Sequence, residues 1–141
     1  MDHESWDRIA DAVNPTVGVI TLALSLAMRR PGNPPRWAQL LLTLAAVASI
    51  YGVGWLDARL GLWTSAGLDF STHTAVHVAI VVSLWMIDRR AGMAGTVIAL
   101  LYGVLMLYQK YHSLADVATT AVVIAPLAWG IWWSGRRFAR R

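Results

Sequence analysis

Five apolar runs separated by short polar breaks organise the chain: about 15–28, 37–56, 72–87, 92–108 and 115–133. A helix rises about 1.5 Å per residue, so a membrane span needs roughly 20 apolar residues, with about 17 sufficient. The second and fifth runs reach that length and the fourth is marginal. The third reaches it if its helix starts near Asp69, and the first is short by itself. Before the first run, Ile9, Ala10, Ala12 and Val13 alternate with Asp7, Arg8 and Asp11, which predicts an interfacial helix over 2–14. Asn14-Pro15 then reads as a kink, or as a cap followed by proline at the first helical position. Arg30-Pro31-Gly32-Asn33-Pro34-Pro35 cannot continue a helix and must turn; Asp88-Arg89-Arg90-Ala91-Gly92 is a second tight turn. Residues 57–70 form the longest connection, and Pro126 predicts a kink in the fifth run. The pattern predicts an all-α, polytopic transmembrane helix bundle of about five spans, forming one domain over residues 1–141.

Composition agrees. The chain is 57% hydrophobic and only 14% charged, against about a quarter charged in soluble domains. Lipid cannot solvate charge, so the deficit fits an integral membrane protein. The absence of cysteine excludes disulfides, iron–sulfur clusters and thiolate chemistry. Eleven arginines against one lysine suggest a GC-rich, bacterial source. The acidic N-terminus and late first apolar run argue against a cleavable signal peptide.

Charge also assigns sides. Arg29, Arg30, Arg36, Arg89, Arg90, Arg136, Arg137, Arg140 and Arg141 fall at one end of the spans, with Asp88 as the lone acid. The other end carries Arg8, Arg59 and Lys110 against Asp2, Glu4, Asp7, Asp11, Asp57, Asp69 and Asp116. The positive-inside rule places the arginine-rich end in the cytoplasm, with the N-terminus outside and the C-terminus inside, as an odd number of spans requires. Trp37, Trp85, Trp129, Trp132 and Trp133 fall near the inner interface and Trp6, Trp55 and Trp63 near the outer, as an aromatic belt would. The net charge of +4 is then topology and attraction to anionic lipid rather than a nucleic-acid signal.

Two polar islands stand at the outer end: Asp69-Phe70-Ser71-Thr72-His73-Thr74 and Lys110-Tyr111-His112-Ser113-Leu114-Ala115-Asp116. His112 and Asp116, four apart at the start of the fifth helix, share a face. A carboxylate one turn from an imidazole can fix its tautomer and stabilise a phosphoimidazole formed on attack. His73 opens the third helix on the same side and can protonate a leaving oxygen. Capping and hydrogen bonding at the interface is the structural alternative for His73 and Asp116. His77 lies one turn from His73; a histidine bonded within the bundle is a simpler reading than a metal or haem ligand. Ser71 lacks the glycine turn of a serine nucleophile. Tyr108 and Tyr111 read as interfacial anchors, and Gly92 and Gly95 as points of close helix approach.

Phe70-Ser71-Thr72-His73-Thr74 resembles the second motif, and Tyr108 to Val117, with His112-x-x-x-Asp116-Val117, the third motif of the type 2 phosphatidic acid phosphatase superfamily. That superfamily includes lipid phosphatases and sphingomyelin-synthase-like lipid phosphotransferases; Asp69-Phe70-Ser71-Thr72-His73-Thr74 is closer to the synthase form. The resemblance covers roughly residues 69–133. It implies His112 as nucleophile, Asp116 as its orienter and His73 as general acid, with Asp69, Ser71, Thr74 and His77 in support and no metal or cofactor. It also implies a phosphorylated lipid as partner, at the outer face of a bacterial inner membrane. The acceptor is water in the phosphatases and an alcohol in the synthases.

The departures concern the phosphate clamp. The only string like the family's first motif, Arg29-Arg30-Pro31, falls at the opposite end; Met106 stands where the third motif usually has arginine, and Thr72 where the second usually has glycine. Of the outer basic residues Arg8, Arg59 and Lys110, Lys110 lies two residues before His112 and Arg59 in the loop leading to His73, so these two are the candidates to hold a phosphate; a snorkelling Lys110 and an Arg59 paired with Asp57 or solvent are the alternative. A non-catalytic relative that binds a lipid phosphate or supports a complex is the alternative. The family core commonly has six spans and this chain offers five; the N-terminal segment, a homodimer partner or nothing at all takes the place of the sixth.

Overall fold

The structure is a computed structural model that describes residues 3–28 and 30–138, excepting the side chains of residues 3–7 and 9. It contains five α-helices: α1 (His3–Ala27), α2 (Arg36–Leu60), α3 (Thr72–Ile87), α4 (Arg89–Tyr108) and α5 (Leu114–Phe138). A single 3₁₀ turn, Thr64–Ala66, interrupts the α2–α3 connection. The side-determining charges Asp2, Arg29, Arg140 and Arg141 lie outside the described residues, as do the side chains of Glu4, Trp6 and Asp7.

Local chemistry sets the boundaries. Pro34-Pro35 blocks helix ahead of Arg36, and Pro35 stands extended at the N-cap of α2. Gly61 closes α2 with φ +62°, its N–H donating to the Asp57 carbonyl, a left-handed position that glycine takes without Cβ strain. Ser71 caps α3 by accepting the Thr74 N–H. Asp88 serves two helices: its N–H donates to the Leu84 carbonyl, ending α3, and its side chain accepts from Ala91 N–H, opening α4.

Two expectations change. Residues 3–14 are continuous with the first apolar run, and α1 passes through Pro15 without ending. The third helix begins at Thr72 rather than near Asp69, so at 16 residues it is about 24 Å long, short of the roughly 30 Å hydrocarbon layer. Among the described residues, four helices are long and apolar enough to cross a membrane: α1 from Ala10, α2, α4 and α5.

The short helix is the central one. It packs against all four others, while α5, α2, α1 and α4 follow one another around it. Ala75, Ala79 and Ser83, at four-residue spacing, are fully buried against Ala46, Ile124, Ala128 and Trp132. Such small residues let backbones approach closely where lipid supplies no hydrophobic drive between helices. At the α3–α4 crossing, a Cβ on Gly92 would stand 2.7 Å from the Trp85 Cα, and one on Gly95 2.7 Å from the Leu84 Cδ1.

Polarity is arranged inside out. Thr21, Ser25, Gln39, Thr43, His77, Ser83 and Thr120 are buried, whereas Val19, Leu41, Leu100, Leu101, Val104 and Val122 are exposed. A bundle this apolar on its surface is built for lipid. The buried hydroxyls are satisfied locally: Thr21, Thr43 and Ser83 each donate to the carbonyl four residues back. Trp63 and Trp132, expected in the aromatic belt, are instead core residues. Trp63 packs edge-on to Phe70 and donates to Thr119, and Trp132 donates to Ser83 at 3.0 Å.

Candidate functional site

Polar contacts separate the two ends of the bundle. At one end Arg30 pairs with Asp88, Asn33 donates to the Ile87 carbonyl, and Arg136 donates to Asn33 and to the Met86 carbonyl. The polar islands gather at the opposite end, where α2 and α4 finish and α3 and α5 begin.

Asp116 holds the islands together. One carboxylate oxygen accepts the Asp69 N–H at 2.8 Å. The other accepts both the N–H and the hydroxyl of Ser113, at 2.8 and 2.7 Å. Ser113 Oγ in return accepts the Asp116 N–H. This reciprocal pairing is a capping box at the start of α5. Its Ser-x-x-Asp spacing is readable in the sequence. The expected orienter of His112 is thus the α5 cap and the clasp between the islands.

The carboxylate that faces His112 belongs to Asp69. Its Oδ2 lies 3.4 Å from His112 Nδ1, with the imidazole 12% and the Asp69 side chain 71% exposed. The nitrogen is buried and lacks hydrogen-bond geometry to any acceptor among the described residues, so the contact is an ion pair when the ring is protonated. Because the imidazole is largely enclosed and Asp69 is not, Asp69 is the outer wall of this pair.

Ser71 and Thr74 serve the backbone. The Ser71 hydroxyl donates to Thr74 Oγ1 at 2.8 Å, and its N–H donates to Thr120 Oγ1 on α5. Together with the Asp69–Asp116 bond, these fix the entry of α3 against α5.

His73 is exposed and lines a cleft of about 400 Å³ between α1, α2 and α3. Its carbonyl accepts from Asn14 Nδ2 at 3.1 Å. Asn14 Oδ1 is 2.8 Å from His77 Nδ1; since the amide nitrogen is already a donor, the oxygen accepts and His77 carries its proton on Nδ1. His77 also stacks on Tyr102, ring centroids 5.2 Å apart. His77 is therefore bonded within the bundle. Asn14, singled out in the sequence only as a cap or kink, is the residue that ties α1 to the start of α3.

The two phosphate-clamp candidates have other geometry. Arg59 places its guanidinium 5.3 Å from the centre of the Trp55 ring. Lys110 is exposed and has φ +58°, a left-handed conformation uncommon outside glycine. Its N–H donates to the Leu107 carbonyl, so the residue forms the reversal between α4 and the His112 island.

Compared with protein-family models, curated proteins and solved structures, the chain gave no match.

Proposed function

We propose that the protein is a membrane-embedded phosphatase or phosphotransferase for a phosphorylated lipid, with His112 as nucleophile. One observation carries the reading: a largely enclosed imidazole faces a carboxylate, on a scaffold that Asp116 clasps between two sequence-distant islands. The five-helix bundle sits in a bacterial inner membrane as five passes, the short α3 included, with this end toward the periplasm and the C-terminus in the cytoplasm.

With Nδ1 toward Asp69, the Nε2 lone pair of His112 attacks phosphorus. The P–N bond forms as the ester P–O bond breaks, and the leaving alkoxide takes a proton from His73. In the second half, water or an alcohol attacks the phosphoimidazole, the P–N bond breaks, and His73 recovers a proton from the acceptor. Asp69 balances the charge on the imidazole ring, while Asp116 acts one step removed as a positioning residue. Lys110 and Arg59 are the cations available to the phosphate once Arg59 leaves Trp55.

The engagement of Asp116 in the cap and of Arg59 on Trp55 favours a second reading, a non-catalytic binder of lipid phosphate. Incubating purified protein with a panel of phospholipid and isoprenoid phosphates separates the two. The enzyme reading expects phosphate release that vanadate inhibits and His112→Ala lowers by at least 10²-fold, the scale of lost catalytic groups. Binding without turnover across the panel would move the conclusion to the second reading.

A further inference from the structure

We infer that the cleft between α1, α2 and α3 holds one hydrocarbon chain of an amphiphile whose polar group lies at the His73 end; this rests on the phosphorylated-lipid reading above. The cleft is lined along its length by Gly18, Leu22, Val47, Val76 and Ile80. Thr43 is its inner polar residue, and its one hydroxyl proton is already donated to the Gln39 carbonyl, with Ser25 Oγ 3.3 Å away. The interior therefore offers a ligand apolar surface and no unmet hydrogen bond, which selects a chain without polar groups.

Polarity reappears only at one end, where Asn14, Thr72 and His73 stand. From there the surface continues. Tyr51 and Thr72 also line a second hollow, which reaches Asp69 and Asp57. Asp69 is the residue that faces His112. A ligand with its tail beside Gly18 thus has its head directed along a path from His73 to the His112–Asp69 pair.

The side opening identifies the occupant's source. Leu44 and Tyr51, 45% and 68% exposed, flank the cleft on the apolar surface, so a lipid enters sideways from the bilayer. Volume sets the chain number. About 400 Å³ lies near the lower end of small-molecule sites, roughly 300–1,000 Å³, room for one chain and not a pair. Gly18 sets the width: a Cβ there would meet Ile80 Cδ1 at 3.7 Å, ordinary contact, so alanine is tolerated and a longer side chain fills the cleft.

The test uses the full chain in lipid nanodiscs with two photoreactive probes, a single-chain alkyl phosphate and a two-chain glycerol phosphate, each carrying a diazirine in the tail. Labelled residues are located by mass spectrometry. The single-chain probe should label Leu22, Val47 or Val76 at least tenfold over the outward Leu100, Leu101 and Val122, and the two-chain probe should place only one of its tails there. Gly18→Leu and, as an independent obstruction from α2, Val47→Phe should each cut this labelling about tenfold, whereas Gly18→Ala should not. Labelling of Leu22, Val47 and Val76 no stronger than that of the outward Leu100, Leu101 and Val122, or cleft labelling that the cleft variants leave unchanged, overturns the inference. A cleft occupied by a second copy of the chain would appear as protein–protein crosslinks and overturns it too. Because labelling needs no turnover, it is repeated in His112→Ala. Cleft labelling there with no phosphate release from wild type removes the enzymatic reading alone; turnover with scattered labelling removes the cleft alone.

Discussion

Asp116 on α5 accepts the main-chain N–H of Asp69, 47 residues away, at 2.8 Å, and this bond decides where the carboxylate beside His112 stands. Asp116→Ala removes three accepted hydrogen bonds and the α5 cap together. The expected result is a lower Tm in detergent and at least 10²-fold lower kcat in the phosphate-release assay. Asp69→Ala keeps the main-chain bond and deletes only the group facing His112. It should lower kcat with near-native Tm. If the two variants lose stability equally, the division between clasp and ring partner is wrong.

Close approach at the α3–α4 crossing gives a sharper stability contrast. A Cβ on Gly92 would meet the Trp85 backbone at 2.7 Å, while one on Gly103 meets nothing within 4 Å. Gly92→Ala should destabilise by about 1–3 kcal/mol, the usual cost of overpacking. Gly103→Ala should be neutral or stabilising by up to about 1 kcal/mol, because alanine is the better helix former. Denaturant titration in mixed micelles measures both. Equal effects would mean the helices are further apart than the structure places them.

The Arg30–Asp88 end predicts a pH dependence. The Ala91 N–H donating to Asp88, with Arg30 beside it, holds the carboxyl below its ordinary value of 3.8, while burial acts in the opposite direction. A carboxylate depressed on folding contributes stability that is full above its unfolded pKa and is lost as pH falls through the folded one. The Asp88 contribution, read as the difference in Tm between wild type and Asp88→Asn, should therefore be full from pH 7 to 5 and be lost below about 4. Asp88→Asn keeps an oxygen for Ala91 and cannot ionise. Its deficit relative to wild type should shrink as pH drops below 4, and a constant deficit would refute the linkage.

Some helix boundaries carry a local signal, Pro34-Pro35 before α2, Gly61 after it and Ser71 before α3, whereas the apolar runs stop at 56 and 133, short of Leu60 and Phe138, because they mark the end of hydrophobicity and not of helix. What α3 does was not legible. A helix apolar all round has no stripe to show which side is buried, and only its 16 residues hint that neighbours shield it from the full bilayer. The site divides the same way. Both islands could be read, whereas the Ser113-x-x-Asp116 capping box, though present as a local signal, yields there to the expectation of Asp116 as orienter of His112. The four-residue spacing of His112 and Asp116 pointed instead to a contact between them, because spacing reports a shared face and cannot reveal a main-chain donor at Asp69. Asn14 similarly meets His77 across 63 residues, a pairing no local pattern encodes.

Lys110 allows conformation and charge to be separated at one position. Its φ of +58° costs about 1 kcal/mol for a residue with a Cβ and little for glycine. Lys110→Gly should therefore raise stability by up to about 1 kcal/mol, while Lys110→Ala keeps the strain and should be near neutral. Both remove the ammonium group two residues before His112. If that charge holds the substrate phosphate, both variants raise KM for a lipid phosphate by similar factors, about tenfold for a single exposed cation, with little change in kcat. Lys110→Arg keeps the charge and the left-handed strain and should restore most of the affinity. A KM that falls for glycine and rises for alanine would show that the turn's shape governs binding and would remove Lys110 from the phosphate site.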